Sequence, residues 1–261
     1  CMHHIISDGW SAAIFLRTLT ENYGAAISGQ NGGRSPAQHA PAEQEASRPY
    51  ADYAVWLDEN LEDTYQRQLP YWTDQLKSPP TLHLPMDNAR PANQDYAAGY
   101  HPVSLRKELV QDLEVLGKSE DCTLFMVIMA GLQILLAKYA QQEDVLIGTP
   151  TANRLHPSID NAMGCFVNNL VLRGDLSGSP SFREFLSRTR EVSLEAYRHQ
   201  ELPFERLVDA LNVERDPSRH PLFQVLLAIQ TTPGIEWSFD NVEAEELMLP
   251  PTRTALDLAL T

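Results

Sequence analysis

The chain begins Cys1-Met2-His3-His4-Ile5-Ile6-Ser7-Asp8-Gly9-Trp10-Ser11, two adjacent histidines set by a short apolar spacer from an Asp-Gly pair. Imidazole titrates near neutral pH, so a histidine held at a strand-to-helix turn can take and return a proton without large tuning. Neighbouring residues of an extended segment point to opposite faces, so one histidine is expected to face a site and the other to pack. Asp8 can accept from the first backbone N–H groups of a following helix, or pair with a distant arginine, and so fix the loop that carries His4. Gly9 lets a backbone N–H come close to a ligand.

Other chemistries fit these residues less well. A helical zinc motif needs histidines at i and i+4, and His39, His83, His101, His156, His199 and His220 are isolated, mostly beside proline or in loops. No metal site is expected. There is no Gly-x-Ser-x-Gly elbow, and Cys122 and Cys165 lie in apolar runs, where a buried cysteine is usually inert. The pattern favours a base that acts directly on an incoming nucleophile over a covalent nucleophile.

Composition narrows the partners. The chain has 261 residues, with 35 Asp+Glu against 20 Lys+Arg and a net charge of −15. That balance disfavours nucleic acid or an anionic membrane surface as the main partner, since both need clustered positive charge. Three scattered cysteines, Cys1, Cys122 and Cys165, suit a reduced, cytoplasmic compartment. The longest apolar run, Leu124–Leu132 continuing to Ala137, is interrupted by Gln133 and falls short of the ~20 residues of a bilayer span. It reads as a core helix. No initiator Met and no leader precede the histidine motif, so the chain is read as a fragment of a longer protein, expected to be poorly stable and inactive alone.

The elements that must position these residues follow from periodicity. Trp10, Ala13, Ile14, Leu16 and Leu19 form a helical stripe over Gly9–Tyr23, capped by Asp8. Gly24–Pro49 is a loop by composition, and two short helices are expected at Tyr50–Leu61 and Thr64–Leu76, the second stopped by Lys77-Ser-Pro-Pro80. A proline-rich crossing segment covers 81–98, followed by a strand at Tyr100–Leu105 and a helix at Lys107–Leu116 ending on Gly117. The buried helix Thr123–Ala140 leads to strands at Asp144–Gly148 and Cys165–Leu172. Ser181 and Glu184 form a capping box, Pro203 suits the first turn of a further helix, and Leu222–Ile229 reads as a strand covered on both faces. Alternating strands and helices make the fold class α/β, without a Gly-rich nucleotide turn.

Four further segments carry specific residue types: Tyr50-Ala-Asp-Tyr-Ala-Val-Trp56; Ile147-Gly-Thr-Pro-Thr-Ala-Asn-Arg154 with Gly164-Cys-Phe-Val-Asn-Asn169; His199-Gln-Glu-Leu-Pro-Phe-Glu205; and Arg215-Asp-Pro-Ser-Arg-His-Pro-Leu-Phe-Gln224. Singly, each is satisfied by a strand end, a capped helix or a solvated turn. Together with the His-His-x-x-x-Asp-Gly core, and in this order, they resemble the condensation domains of non-ribosomal peptide synthetases over nearly the whole chain. The resemblance implies a chloramphenicol-acetyltransferase-like, two-lobed condensation fold, incomplete at both ends. Residues 1–97 would be the remainder of the first lobe and 98–261 most of the second.

The resemblance also implies an acyltransferase-type, amide-forming reaction of secondary-metabolite biosynthesis. The amine of a carrier-bound aminoacyl group attacks the carrier-bound thioester of an upstream aminoacyl or peptidyl group. No cofactor is bound directly; the phosphopantetheine arms belong to upstream and downstream carrier domains, and an adenylation domain adjoins in the parent chain. His4 would face the reacting atoms, as a base or as a group that holds the amine and stabilises the tetrahedral intermediate. His3, Asp8 and Gly9 would be supporting, with the Gly9 N–H a candidate oxyanion donor, Arg154 the ion-pair partner of Asp8 and Asn168 a tunnel-lining residue. The form of the Asp-Gly motif resembles domains that join two L-residues. Competing implications are a non-catalytic carrier-docking or interface domain of the same fold, an epimerisation-type relative, and an acyltransferase that uses acyl-coenzyme A.

Overall fold

The structure, a computed structural model, describes residues 2–27, 49–213, 216–229, 239, 242–245, 247 and 249–261. Expectations that fall on Cys1, on Arg215 and on residues 28–48 of the Gly24–Pro49 loop lie outside the described residues. The elements run α1 (Gly9–Ile27), α2 (Tyr50–Gln75), α3 (Lys107–Ser119), α4 (Leu124–Ala140), β1 (Asp144–Thr151), β2 (Asn168–Asp175), α5 (Phe182–Arg198), α6 (Phe204–Ala210), β3 (Val225–Leu227) and β4 (Leu258–Leu260). They group into two compact units, one of Cys1–Glu62, Ala152–Val167 and Thr231–Leu249, the other of Asp63–Thr151, Asn168–Gln230 and Pro250–Thr261.

The second unit holds a mixed sheet in the order β2-β1-β3-β4. β1 and β2 pair antiparallel from Asp144 opposite Asp175 to Thr151 opposite Asn168, while β3 lies parallel to both β1 and β4. Val145, Leu146 and Ile147 on β1 and Leu170, Val171 and Leu172 on β2 are all buried. Unbroken burial, in place of alternation, means that both faces of these strands are covered. Trp72 of α2, Leu76 just after it, Met129 and Leu136 of α4, and Phe223 and Val225 join them in one core. Phe185 and Leu186 of α5 pack with Met126, Val127 and Ala130 of α4 in another. Each fully buried Val, Leu, Ile, Phe or Met side chain among them contributes about 1.5–3 kcal/mol.

Local chemistry sets the ends of these elements. Thr123 caps α4, its hydroxyl accepting from the Met126 N–H at 3.3 Å. Ser181 and Glu184 exchange the two hydrogen bonds of a capping box at the start of α5. Gln133, the residue that interrupts the apolar run of α4, is buried and donates to the Leu172 carbonyl of β2 at 3.2 Å. No single described helix is long and apolar enough to cross a membrane.

Several expectations are corrected. The two short helices expected over 50–76 are one continuous helix, α2, which passes through Pro70. Burial of Gln68 and Trp72 on either side holds it together despite the hydrogen bond that proline removes. The strand expected at Tyr100–Leu105 is absent: the segment is exposed, and Pro102 cannot donate to a ladder. α3 continues past Gly117, where a Cβ would meet the Cys122 carbonyl oxygen at 2.8 Å, so this glycine serves close packing and not the helix end. The strand expected at Leu222–Ile229 is confined to Val225–Leu227, and of the apolar stripe on α1 only Ile14 is buried.

Asn168, expected to line a tunnel, opens β2 and is buried. Its amide donates to the carbonyls of Gln200 and Leu202, both at 2.8 Å, and its carbonyl oxygen accepts from the N–H groups of Phe204 and Asn169. Both amide hydrogens and both lone pairs are thus spent on backbone. The residue braces the start of α6 against β2. Asn168→Ala would strand three buried or half-buried backbone groups beyond its own strand, and is expected to destabilise the domain by at least about 2 kcal/mol in denaturant titration. A wild-type unfolding midpoint combined with lost activity would instead return Asn168 to a ligand-facing role.

Candidate active site

All residues of the expected site except Asn168 lie in the first unit. His4–Ile6 form one 3₁₀ turn, where an extended segment was expected. His3 caps that turn, its Nδ1 accepting from the Ile5 N–H at 3.1 Å, and the Ser7 hydroxyl donates to the His3 carbonyl at 3.2 Å. Both histidines are exposed. The expected split between a packing and a site-facing histidine is therefore replaced by one that caps its own turn and one that is presented outward.

Four residues after His4 the chain enters a buried polar cluster. Asp8 is the N-cap of α1: Oδ1 accepts from the Ser11 N–H and the Ser11 hydroxyl, both at 2.7 Å, and Oδ2 accepts from the Phe166 N–H at 3.1 Å. Arg154 completes the set, Nη2 reaching Asp8 Oδ1 and Ser11 Oγ at 3.3 Å. Its Nη1 donates to the carbonyls of Ile159 and Ala162 at 2.6 and 2.8 Å. The side chains of this pair are only 2% and 5% exposed, so the ion pair is fully buried.

Burial pushes the Asp8 carboxyl up, but donation from Ser11 and Phe166 and the Arg154 charge outweigh it, leaving its pKa below the ordinary aspartate value. Burial pulls the Arg154 guanidinium down, an effect that Asp8 offsets only in part. The pairing favours the charged form of both groups, and the cost to Arg154 is its burial; it stays protonated because guanidinium starts so high. Arg154 also lies over the Phe166 ring, with Cζ 4.0 Å from the centroid.

The aromatic segment of α2 explains itself here. Tyr50 and Tyr53 fall on one helix face and meet Phe166 at centroid distances of 5.0 and 4.7 Å, in a small apolar cluster with Ile159 and Ala162. Gly164 leaves room for Tyr50, whose ring carbon would lie 2.1 Å from a Cβ there. The Tyr50 hydroxyl donates to the Cys165 carbonyl at 3.0 Å, and the Gly164 N–H donates to Ser11 Oγ at 3.0 Å. These bonds also explain why β2 starts at Asn168 and not at Cys165: the amides of 164 and 166 are engaged by Asp8 and Ser11.

The structure thus brings Asp8 and Arg154 into contact and places His3, His4 and Gly9 at the surface beside them. A Cβ on Gly9 would meet nothing within 4 Å, so the start of α1 is open. Sequence reasoning missed Ser11, whose one signal was a polar residue at the third helical position after an N-cap aspartate. It also read Cys165 as a buried cysteine, whereas the thiol is half-buried and 3.6 Å from His4 Nδ1. Nothing in a single sequence links two residues 161 positions apart. Two open cavities of about 740 and 1390 Å³ in the second unit contain none of the expected site residues.

A condensation-domain family profile matches residues 1–254. The chain is 45% identical over 231 residues to a linear gramicidin synthase of Brevibacillus parabrevis, covering 88% of the chain and 4% of that protein. It is 42% identical over 250 residues to a dimodular nonribosomal peptide synthase of Bacillus subtilis (strain 168), covering 93% of the chain and 10% of that protein. Among solved structures it is similar to the X-domain of teicoplanin biosynthesis in complex with OxyB, with a TM-score of 0.83 and 28% identity over 99% of this chain and 56% of that one. With the histidine turn, the buried Asp8–Arg154 pair and the α/β architecture in place, the chain belongs to the condensation-domain family, whose fold is chloramphenicol-acetyltransferase-like.

Proposed function

We propose that this domain forms an amide bond between two carrier-borne substrates in non-ribosomal peptide synthesis. The observation that carries the reading is an exposed imidazole, His4, held beside a buried ion pair in a chain of the condensation family. The amine of the acceptor aminoacyl group attacks the donor thioester carbonyl. The tetrahedral intermediate then collapses and the C–S bond breaks, and the departing phosphopantetheine thiolate of the donor carrier takes up the proton that the amine nitrogen loses, leaving as a thiol. The thioester is already activated, so orientation alone supplies several kcal/mol of the rate enhancement and no covalent enzyme intermediate is needed.

His4 contacts the reacting atoms, as proton acceptor or as hydrogen-bond donor to the developing oxyanion. Asp8, Ser11 and Arg154 act by fixing the turn, and the open Gly9 N–H is a candidate second donor. The partners are upstream and downstream carrier domains and an adjacent adenylation domain of a cytoplasmic synthetase. The substrates joined are both L-configured on this reading, with residues 1–97 the later part of the first lobe and 98–261 most of the second. A second reading has one specific support, the similarity to an X-domain solved as a complex with OxyB: a domain of this fold that serves to dock another protein.

Two experiments on the parent synthetase test this. With two carriers loaded with different aminoacyl groups, intact-protein mass spectrometry is expected to find a dipeptidyl group on the acceptor carrier. His4→Ala should lower its formation by about 10²-fold or more. Equal product from both would remove His4 from the chemistry, and no product from either, across several loaded pairs, would favour docking.

The second experiment concerns Asp8. Its folded carboxyl titrates below the unfolded value, so the stability it contributes is complete above about pH 4 and is lost as the pH falls further. Asp8→Asn is expected to cost about 3 kcal/mol at neutral pH, with the gap to wild type narrowing below about pH 4 in denaturant titrations. A gap independent of pH would show that the carboxylate charge is not what holds the turn.

A further inference from the structure

Resting on the amide-forming reading, we propose that Cys165 and His4 act as a thiol–imidazole pair in which Cys165 positions the catalytic ring through Nδ1. The two atoms are 3.6 Å apart, within reach of a sulfur hydrogen bond. What makes this contact more than a chance neighbour is how firmly Cys165 is delivered to it. The N–H of Gly164 on one side is held by Ser11 and the N–H of Phe166 on the other by Asp8, while the carbonyl of Cys165 itself accepts from Tyr50. Asp8 and Ser11 also set the start of α1, immediately after the turn that carries His4. One buried cluster therefore fixes the backbone on both sides of the thiol and the turn that carries the imidazole.

The chemistry of the two groups assigns the proton. A thiol is a weak donor and sulfur a weak acceptor, whereas an unprotonated imidazole nitrogen accepts well. The S–H of Cys165 donates to Nδ1, which leaves the hydrogen of neutral His4 on Nε2. An Nε2–H cannot take a proton from the attacking amine, but it can donate to the thioester oxygen as it becomes an oxyanion. Cys165 is thus a positioning residue, and the tautomer it sets favours the stabilising role of His4 over the basic one. The same pairing gives the thiol a proton acceptor at van der Waals distance, which raises its reactivity toward electrophiles.

Three substitutions in the parent synthetase separate positioning from packing. Cys165→Ser keeps a donor, and Cys165→Val keeps the apolar volume. Cys165→Ala keeps neither. Positioning predicts that the Val and Ala variants lower kcat for dipeptide formation several-fold at unchanged KM for both carriers, with Ser restoring most of it. Retention of kcat by Val and loss by Ser would overturn the proposal in favour of packing.

A second readout does not need turnover. In the reaction with iodoacetamide the sulfur displaces iodide from carbon, and the thiol proton passes to His4 or water. Peptide mapping by mass spectrometry should show alkylation of Cys165 slowed several-fold by His4→Ala and unaffected by His83→Ala, at an exposed position of the second unit. An equal or faster rate in His4→Ala would sink the pair even if the domain makes amide bonds. Slowed alkylation in a domain that forms no dipeptide would keep the pair and defeat the amide-forming reading instead.

Discussion

A single carboxylate organises the first unit. Asp8 receives two bonds from Ser11, one from the Phe166 amide and the charge of Arg154, all out of contact with solvent. An uncompensated charge in such a place costs several kcal/mol, so every donor is needed at once. That requirement couples segments far apart in sequence. The cap of α1, the arginine at position 154 and the stretch 164–166 are each placed by the same two oxygen atoms. The histidine turn inherits its position from them, because only Ile5, Ile6 and Ser7 separate His4 from Asp8.

The aromatic residues of α2 serve the same end by a different force. Tyr50 and Tyr53 cover Phe166, and Phe166 lies against Arg154, so apolar burial seals the polar cluster from water. Low polarity around an ion pair strengthens its hydrogen bonds and punishes any loss of them. Gly164 follows from this packing, since a side chain there would displace the Tyr50 ring. Motifs that look unrelated along the chain are thus parts of one assembly, each with a steric or electrostatic reason to be the residue it is.

How much of this was legible in the sequence differs by scale. The capping box at Ser181, the cap at Asp8 and the buried helix α4 were readable because each is local, its partners within four residues. The break assumed near residues 62–63 and the strand assumed at 100–105 failed because propensity was overruled by tertiary cover in the first case and by its lack in the second. In the site, His4, Asp8 and Arg154 could be picked out by residue type and family motif. Ser11 and Cys165 could not, since their meaning depends on contacts 143 to 161 positions away. Asn168 was named for a motif, yet its type is explained by backbone groups it alone can satisfy.

The cluster is not what packing for stability alone would produce. Replacing a buried ion pair with apolar side chains of similar volume is often neutral or stabilising, and here Arg154 Nε is buried with no hydrogen-bond partner among the described residues. An apolar cluster would hold the helix to its neighbours equally well but would leave the amides of Gly164 and Phe166 without acceptors, free to join β2 and turn Cys165 elsewhere. Directional bonds to those amides are what an apolar core cannot supply. The unpaired Nε and the desolvated guanidinium are thus the energetic cost of geometry: a thiol and an imidazole delivered to each other from distant parts of the chain, at a distance where one can set the proton of the other.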